Sequence, residues 1–199
     1  MRRPLIPVAL TAALAVAGCA TSPGPVEVTR FHDPARLAPI GQGTVTVEAG
    51  MVAEDSLALR PYEMAVAEEL RSLGYTMGRE GASDYIASVN VDRYVIGAEG
   101  RRSPVSVGVG GSTGSYGSGV GIGLGINLGG SGERLGSELR VIMRDRATGQ
   151  SVWEGRAEVD YPPRSDLADR RTNAQALAQA LFRDFPGNNG ETVRIELTD

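Results

Sequence analysis

Cys19 is the residue whose surroundings specify a chemical reaction most clearly. It is the only cysteine among the 199 residues, and it directly follows a run of small and apolar side chains at residues 14–18. Small residues allow a peptidase to approach the backbone at Gly18, and the thiol is a nucleophile to which a lipid can be attached. The chemistry available here is therefore attachment of lipid to a cysteine that backbone cleavage exposes.

The residues before Cys19 form a signal-peptide pattern. Arg2 and Arg3 supply a short positive region, and residues 4–16 form an uncharged, mostly apolar stretch. That stretch has the length of a signal-peptide core and is shorter than the about 20 apolar residues of a membrane span. Its end at Cys19 resembles the lipobox of bacterial lipoproteins. The resemblance implies that residues 1–18 are a signal peptide, that cleavage falls between Gly18 and Cys19, and that Cys19 is acylated.

Residues 19–25 are expected to join the lipid to a folded domain. Each buried CH₂ contributes about 0.8 kcal/mol, so several acyl chains on one cysteine would hold the protein firmly in a bilayer. Residues 20–25 are polar or small and contain two prolines, and they reach at most roughly 20 Å. Ala20, in place of an aspartate, resembles the sorting pattern for the Gram-negative outer membrane. The expected location is therefore the outer membrane, with the domain facing the periplasm.

The composition excludes several classes of catalytic and binding site. His32 is the only histidine and precedes a turn-forming Asp-Pro pair, so a His/Cys zinc cluster and a Cys–His nucleophile are excluded once Cys19 carries lipid. The chain has no lysine, which excludes a Schiff base and a Walker A phosphate loop. Asp84 and Asp92 have no partner at the spacing that acid–base catalysis needs. We therefore expect no catalytic, cofactor-binding or metal-binding residue.

Length and charge indicate one acidic domain over residues 26–199. The formal net charge is −4 for the whole chain and becomes −6 after loss of Arg2 and Arg3. An acidic balance argues against nucleic acid as a partner, since binding to phosphates needs a basic face. No further cysteine is available for a disulfide, so the fold must rest on packing, which this length allows.

The first half of the domain is predicted to contain two strands, a helix and a longer strand. Residues 26–31 and 44–49 read as strands, and Pro61 suits the first turn of a helix. Leu73-Gly74-Tyr75 is typical of a helix end with a left-handed glycine. Residues 84–96 alternate apolar and polar side chains, as expected of a half-buried strand. The predicted apolar stripe of the helix comprises Tyr62, Val66, Leu70 and Leu73.

The second half is predicted to contain a hairpin, a helix and a last strand. Residues 139–143 and 153–161 alternate around a turn at residues 147–150, which predicts an antiparallel hairpin with one dry face. Ser165 is the expected N-cap of a helix that runs to about residue 184, and residues 193–197 form the last strand. The predicted helix stripe comprises Leu167, Arg171, Ala174, Leu177, Leu181 and Phe185. The fold class is α+β, with a mostly antiparallel sheet that two helices cover on one face.

Residues 103–132 form a glycine-rich insert without any charge. Aliphatic side chains alternate with Gly and Ser, which favours strands over a helix because glycine is costly in a helix interior. The main prediction is a hairpin at the edge of the sheet. The alternatives are a flexible insert and a hairpin that joins those of other copies in a membrane barrel. Tyr116 is the only aromatic residue nearby, so an aromatic girdle is missing. A glycine-zipper helix fits the period least.

Several short motifs together resemble one protein family. They are the lipobox at Cys19, the helix end at residues 70–75, the strand opening at 82–85, the glycine-rich alternation, the strand and turn at 139–149, residues 152–155 around Trp153, and Phe185-Pro186. This arrangement resembles the bacterial lipoproteins grouped as domain of unknown function 4136, over nearly the whole chain after Cys19. The first strands depart from the family, whose aromatic-rich segment is reduced here to residues 31–34. The resemblance implies a periplasm-facing lipoprotein with no established activity.

We therefore expect a non-enzymatic, membrane-anchored module that acts in the cell envelope through structure or interaction. Its expected partners are the bilayer, through acylated Cys19, and either an envelope protein or further copies of itself. The alternative is an oligomeric pore or export component that uses the glycine-rich hairpin as membrane strands. A hydrolase built on His32 or on paired carboxylates is a third hypothesis, and it requires His32 and a serine within hydrogen-bond reach.

Overall fold

The computed structural model describes residues 23–37, 41–50, 56–79, 81–97, 102–104 and 133–197. These residues build one eight-stranded sheet with its helices on a single face. The strands are β1 (Val26–His32), β2 (Thr44–Ala49), β3 (Thr76–Met77), β4 (Tyr85–Ile96), β5 (Arg102–Pro104), β6 (Arg134–Asp145), β7 (Ser151–Tyr161) and β8 (Thr192–Ile195). The helices are α1 (Ser56–Ser72) and α2 (Arg170–Phe182), and a 3₁₀ helix (Asp166–Ala168) precedes α2.

The sheet is mixed rather than antiparallel throughout. Its strand order is β3-β2-β4-β6-β7-β1-β8, with β5 paired to β4 beyond the end of β2. The predicted β6–β7 hairpin is confirmed, and it continues into antiparallel pairs β4–β6, β1–β7 and β1–β8. β2, however, pairs in parallel with both β3 and β4. The reason is α1, which follows β2 and returns the chain to the end of the sheet where β2 began.

The core lies between the helices and the apolar face of the sheet. Val89, Leu139 and Ala157 are fully buried at alternating positions of three adjacent strands, as the period-two pattern predicted. α1 and α2 cover this face with the apolar side chains on their buried sides. The largest fully buried side chains are Trp153, Tyr62, Tyr161, Leu70, Leu139, Met143, Leu177 and Leu181.

The predicted end of α1 is confirmed, while its predicted start is not. Gly74 has φ +101°, and its N–H donates to the Arg71 carbonyl at 2.9 Å while the N–H of Tyr75 donates to Leu70 at 3.0 Å. This is a Schellman motif. The helix begins at Ser56, so Pro61 lies inside it instead of in its first turn. Pro61 has no N–H to give the carbonyl four residues earlier, and packing of the stripe holds the helix together there.

The predicted second helix is two elements. Ser165 caps the 3₁₀ helix, where its hydroxyl accepts from the N–H of Leu167, and Asp169 caps α2 by accepting from residues 171 and 172. α2 ends at Phe182, two residues before the predicted end. Arg171, which the stripe included, is exposed. A charged side chain at the helix start reaches solvent, while the rest of the stripe enters the core.

The glycine-rich hairpin over residues 103–132 lies almost wholly outside the described residues. Ser103 and Pro104 belong to β5, which pairs antiparallel with residues 94–96 of β4. Residues 105–132 are not described. The hairpin, flexible-insert and membrane-strand interpretations of this segment therefore stay predictions.

Candidate functional site

Gly24 is bound to the sheet through the Asp160 carbonyl, which also accepts a hydrogen bond from Arg134. The N–H of Gly24 donates to the Asp160 carbonyl at 3.0 Å, and Nη2 of Arg134 donates to the same oxygen at 2.8 Å. Gly18 and Cys19 lie outside the described residues. Three residues lie between Cys19 and Pro23, the first described residue, so the chain length alone keeps these two within about 14 Å of each other. The amino-terminal segment therefore joins the described domain beside β6 and β7.

His32 fastens β1 to the loop that follows α2. Its Nε2 lies 3.2 Å from the Gly187 carbonyl, and its backbone N–H donates to Oδ1 of Asn189 at 3.1 Å. Nδ1 is buried without a hydrogen-bond partner among the described residues. The contacts described for His32 thus involve a loop carbonyl and an amide, and no described serine bonds to it. The turn expected after His32 is present, since Asp33 accepts from the N–H of Ala35 at 3.0 Å.

Asp84 and Asp92 are not brought together. The Asp84 carboxylate accepts from the N–H of Thr44 at 2.7 Å and from its hydroxyl at 2.8 Å, which ties the start of β2 to the start of β4. These two hydrogen bonds lower the pKa of Asp84. Asp92 lies eight residues further along the same strand, about 26 Å away. The two carboxylates cannot act on one bond.

Asp92 instead belongs to a row of carboxylates across the helix-free face of the sheet. The strand register places Asp92 beside Glu138, Glu138 beside Glu158, and Glu158 beside Glu27. Like charges directly opposite each other on neighbouring strands are destabilising. The next row supplies the compensating charge, since Arg156 reaches both Glu158 at 2.6 Å and Glu138 at 3.0 Å. We call this set the carboxylate row.

Tyr94 lies beside the carboxylate row and contacts Glu158. The Tyr94 hydroxyl donates to Oε1 of Glu158 at 2.5 Å, and Arg102 reaches the same oxygen at 2.7 Å. Burial raises the pKa of Glu158, but the hydrogen bonds from Tyr94 and Arg156 and the Arg102 charge together bring it below its usual value. Burial, and then the hydrogen bond to Glu158, raises the pKa of Tyr94. The site therefore holds a carboxylate and a neutral phenol at neutral pH.

Sequence reasoning missed Tyr94, which is 7% exposed on the face predicted to be wet. Its ring lies over Gly136 of β6, where a Cβ would overlap the ring atoms. A glycine facing an aromatic residue across two strands was the available signal. Glu138 and Glu158 lie on this face too, and they are only 12% and 15% exposed rather than fully solvated.

A second polar group lies inside the core, beneath the helices. The Tyr62 hydroxyl donates to Oδ1 of Asn173 at 2.8 Å, and burial raises the pKa of Tyr62 to about 12. Nearby, Arg93 donates to the Tyr161 hydroxyl at 3.0 Å, and Tyr161 lies 2.8 Å from the hydroxyl of Ser137. Nδ2 of Asn173 is buried with no partner in the described part of the chain. These contacts join α1, α2, β4, β6 and β7.

The described residues contain neither a candidate metal site nor a helix that could span a membrane. Among the ranges given above, no three His, Cys, Asp or Glu side chains converge where they could hold a metal ion. Within those ranges, no helix combines the length and the apolar character needed to cross a bilayer. The pore hypothesis depends on residues 105–132, and nothing in the described residues supports it.

Comparison with known proteins identifies one family. The model of the family described as Domain of unknown function (DUF4136) matches residues 39–187, which is more than half of the chain. An uncharacterized protein of Zymomonas mobilis is 33% identical over 58 residues, which are 29% of this chain and 22% of that protein. The matched segment thus spans about a fifth of that relative.

Solved structures resemble the fold only distantly. A PelC dodecamer from Paraburkholderia phytofirmans aligns with a TM-score of 0.46 and 17% identity, over 78% of this chain and 93% of that one. A PDZ domain protein from Parabacteroides distasonis aligns with a TM-score of 0.44 and 12% identity, over 88% of this chain and 40% of that one. At these scores neither similarity supports an inference about function.

Proposed function

This chain belongs to the DUF4136 family, and from that premise we propose that it is a lipid-anchored, periplasm-facing module of the outer membrane. Its role is structural or interactive rather than catalytic. Cys19 is the acylated residue, residues 1–18 are removed, and residues 19–25 are the tether. The family model matches residues 39–187, which include β2 to β7 and both helices but not β1 or β8, while the anchor is inferred from the sequence before it.

The observation that carries the proposal is the position of Cys19. The only cysteine follows a charged start, an apolar stretch and small residues, in the order that the lipobox requires. The chain is already hydrogen-bonded to the sheet at Gly24, five residues after Cys19, so the tether is short. A short tether suits a module that works beside the bilayer and not one that reaches across the periplasm.

The helix-free face of the sheet supports an interaction role more than a catalytic one. The two central carboxylates of the carboxylate row, Glu138 and Glu158, are paired with Arg102, Arg140 and Arg156 within the protein. A paired and partly buried row fixes the shape and the register of the face. Such a face presents a rigid, mixed-charge surface to the periplasm.

The anchor is tested by replacing Cys19 in a Gram-negative host. We expect mass spectrometry of the wild-type protein to show an acylated cysteine at the new amino terminus. Cys19→Ser should give a protein without lipid that leaves the membrane fraction. An unmodified amino terminus that still carries residues 1–18 would contradict the proposal.

The membrane is tested by a change that keeps the lipid. Ala20→Asp retains Cys19 and the tether, so the protein should stay acylated while its density-gradient position moves from the outer to the inner membrane. Ala20→Ser is the matched control and should leave the distribution unchanged. Equal distribution of all three proteins would remove the outer-membrane assignment and leave the anchor intact.

A further inference from the structure

We propose that the outer face of α1 is a self-association surface on which α1 of a second copy packs antiparallel, with the two-fold axis at Met64. This surface lies on the helix-covered side of the sheet, opposite the carboxylate row. It does not depend on the lipid anchor, so the two proposals can fail separately.

The outer face of α1 carries apolar side chains where a surface helix usually carries polar ones. Leu57 and Met64 are 70% and 71% exposed, while Tyr62, Val66 and Leu70 on the opposite side are buried in the core. The exposed residues recur at spacings of three and four along the helix, and we call them the α1 stripe. They are Leu57, Arg60, Met64, Glu68 and Arg71.

A groove beside the α1 stripe provides room for a second helix. It encloses about 840 Å³ between α1 and the edge strands β2 and β3. Pro61 and Met64 line its helix side, Val45, Val47 and Met77 line its sheet side, and charged or polar side chains also line it, namely Thr46, Arg60, Glu63, Glu68, Arg71, Arg171 and Gln175. Side chains of a second α1 can enter this groove as ridges enter grooves between packed helices. The lining is apolar on both sides near Met64 and charged around it, so a methionine flanked by charged residues, as in α1 itself, suits the groove.

The charges of the α1 stripe are complementary to those of a second copy when the two helices run antiparallel. Arg60 precedes Met64 by four residues, and Glu68 follows it by four. In an antiparallel pair centred on Met64, Arg60 therefore faces Glu68 of the second copy, and the same contact occurs twice by symmetry. A parallel pair would place like charges together. In the part of the chain that the structure describes, Arg60 and Glu68 form no ion pair of their own.

The ends of the α1 stripe also match in this arrangement. Leu57 precedes Met64 by seven residues and Arg71 follows it by seven, so each leucine faces an arginine of the second copy. The methylene stem of arginine can cover an apolar side chain while its charge stays in water. One helix from each copy gives an interface at the small end of the range for specific complexes. We therefore expect a weak dimer, which confinement of anchored copies to one membrane would strengthen.

Cysteine crosslinking tests the position of the axis. In the full chain with Cys19→Ser, Met64→Cys supplies a single thiol that should meet its symmetry mate and form a covalent dimer under mild oxidation. Leu57→Cys is the matched control, since Leu57 is equally exposed. Two residues at position 57 would lie about 21 Å apart along antiparallel helices, far beyond the reach of a disulfide. Efficient dimer from Met64→Cys and little from Leu57→Cys is the expected result.

Charge exchange tests the pairing independently. Arg60→Glu or Glu68→Arg alone should raise the dimer dissociation constant about tenfold, which is about 1.4 kcal/mol. The double variant restores opposite charges and should return the constant to the wild-type value. Analytical ultracentrifugation gives the constants, and circular dichroism confirms that each variant is folded. A folded wild type that stays monomeric at high concentration, equal crosslinking at both positions, or a double variant no better than the single ones would overturn the proposal.

Discussion

Arg30 should be among the most costly side chains to remove outside the apolar core. It lies on β1 with only 5% of its surface exposed, and its guanidinium points at the end of α2. Nε donates to the Leu181 carbonyl at 2.8 Å and Nη2 to the Ala180 carbonyl at 3.0 Å. Burial lowers the pKa of Arg30, while the charges of Asp184 and Glu191 oppose that effect. The charge is held by helix carbonyls that have no helical partner of their own.

The magnitude follows from these two hydrogen bonds. Hydrogen bonds to a charged group contribute about 1.5–3 kcal/mol each, and removal also leaves carbonyls without a donor. Arg30→Met keeps most of the side-chain volume, so we expect a loss of about 3 kcal/mol in the free energy of unfolding. For a domain of this size that corresponds to a fall of about 6–12 °C in Tm. Arg30→Lys can replace one of the two hydrogen bonds but not both, so its free energy of unfolding should lie between those of the wild type and Arg30→Met.

The assay uses the single tryptophan of the chain. Trp153 is buried and stacks on Phe182 at a centroid distance of 5.3 Å, so its fluorescence reports loss of packing at the end of α2. Urea unfolding should show a lower midpoint with an unchanged slope, which indicates a change in stability alone. The matched control is Arg194→Met.

Arg194 pairs with Glu27 at 2.9 Å, but the two side chains are 74% and 49% exposed. Exposed ion pairs contribute about 0–1 kcal/mol, so this control should be nearly neutral. If Arg30→Met and Arg194→Met lowered stability equally, the assignment of Arg30 to the end of α2 would be wrong.

Three further predictions concern the polar contacts. Gly136→Ala should destabilise the domain by about 1–3 kcal/mol in urea unfolding, because its Cβ overlaps the Tyr94 ring, and the smaller aliphatic side chain of Tyr94→Leu should relieve part of that loss. Hydrogen bonds from the helix N–H groups lower the pKa of Asp169 in the folded protein. The Asp169 carboxylate therefore adds to the free energy of unfolding above the pKa that it has in the unfolded chain, and this contribution is lost as the pH falls through its pKa in the folded protein. Asp169→Asn keeps a capping oxygen and should show a smaller drop in urea midpoint between about pH 6 and about pH 3 than the wild type; an unchanged drop would refute this. Tyr62→Phe and Asn173→Leu should each cost about 1–3 kcal/mol, and the double variant should cost less than their sum in a double-mutant cycle, whereas strict additivity would show that the two groups do not interact.

The sequence predicted the strands whose two faces differ in polarity. β4, β6 and β7 alternate apolar and polar side chains for most of their length, and packing on one face turns that alternation into structure. β3 and β5 were missed because two or three residues are too few to show a period. The parallel direction of β2 was missed for another reason. Alternation identifies the faces of a strand but carries no information about its direction.

The polar contacts were harder to predict than the fold. Arg30 follows Val26 and Val28 at core-facing positions, and a charge in that series was a visible sign of a buried contact. Its partners are carbonyls about 150 residues away, and no local pattern encodes them. The pairing of Tyr94 with Glu158 likewise depends on register across β6. Long-range pairs of this kind follow from the order and register of the strands, and these depend on the packing of the whole core rather than on any local pattern.

The position of β1 determines how the domain would respond to a mechanical pull. The strand enters from residue 24 and is bonded on both sides, to β7 along residues 27–32 and to β8 along residues 26–29. Antiparallel hydrogen bonds run perpendicular to the strands, so a force directed along β1 loads both ladders in shear instead of opening them one rung at a time. Tension that arrives through the amino-terminal segment would thus be shared by many bonds at once, on a strand that lies one position in from the edge strand β8.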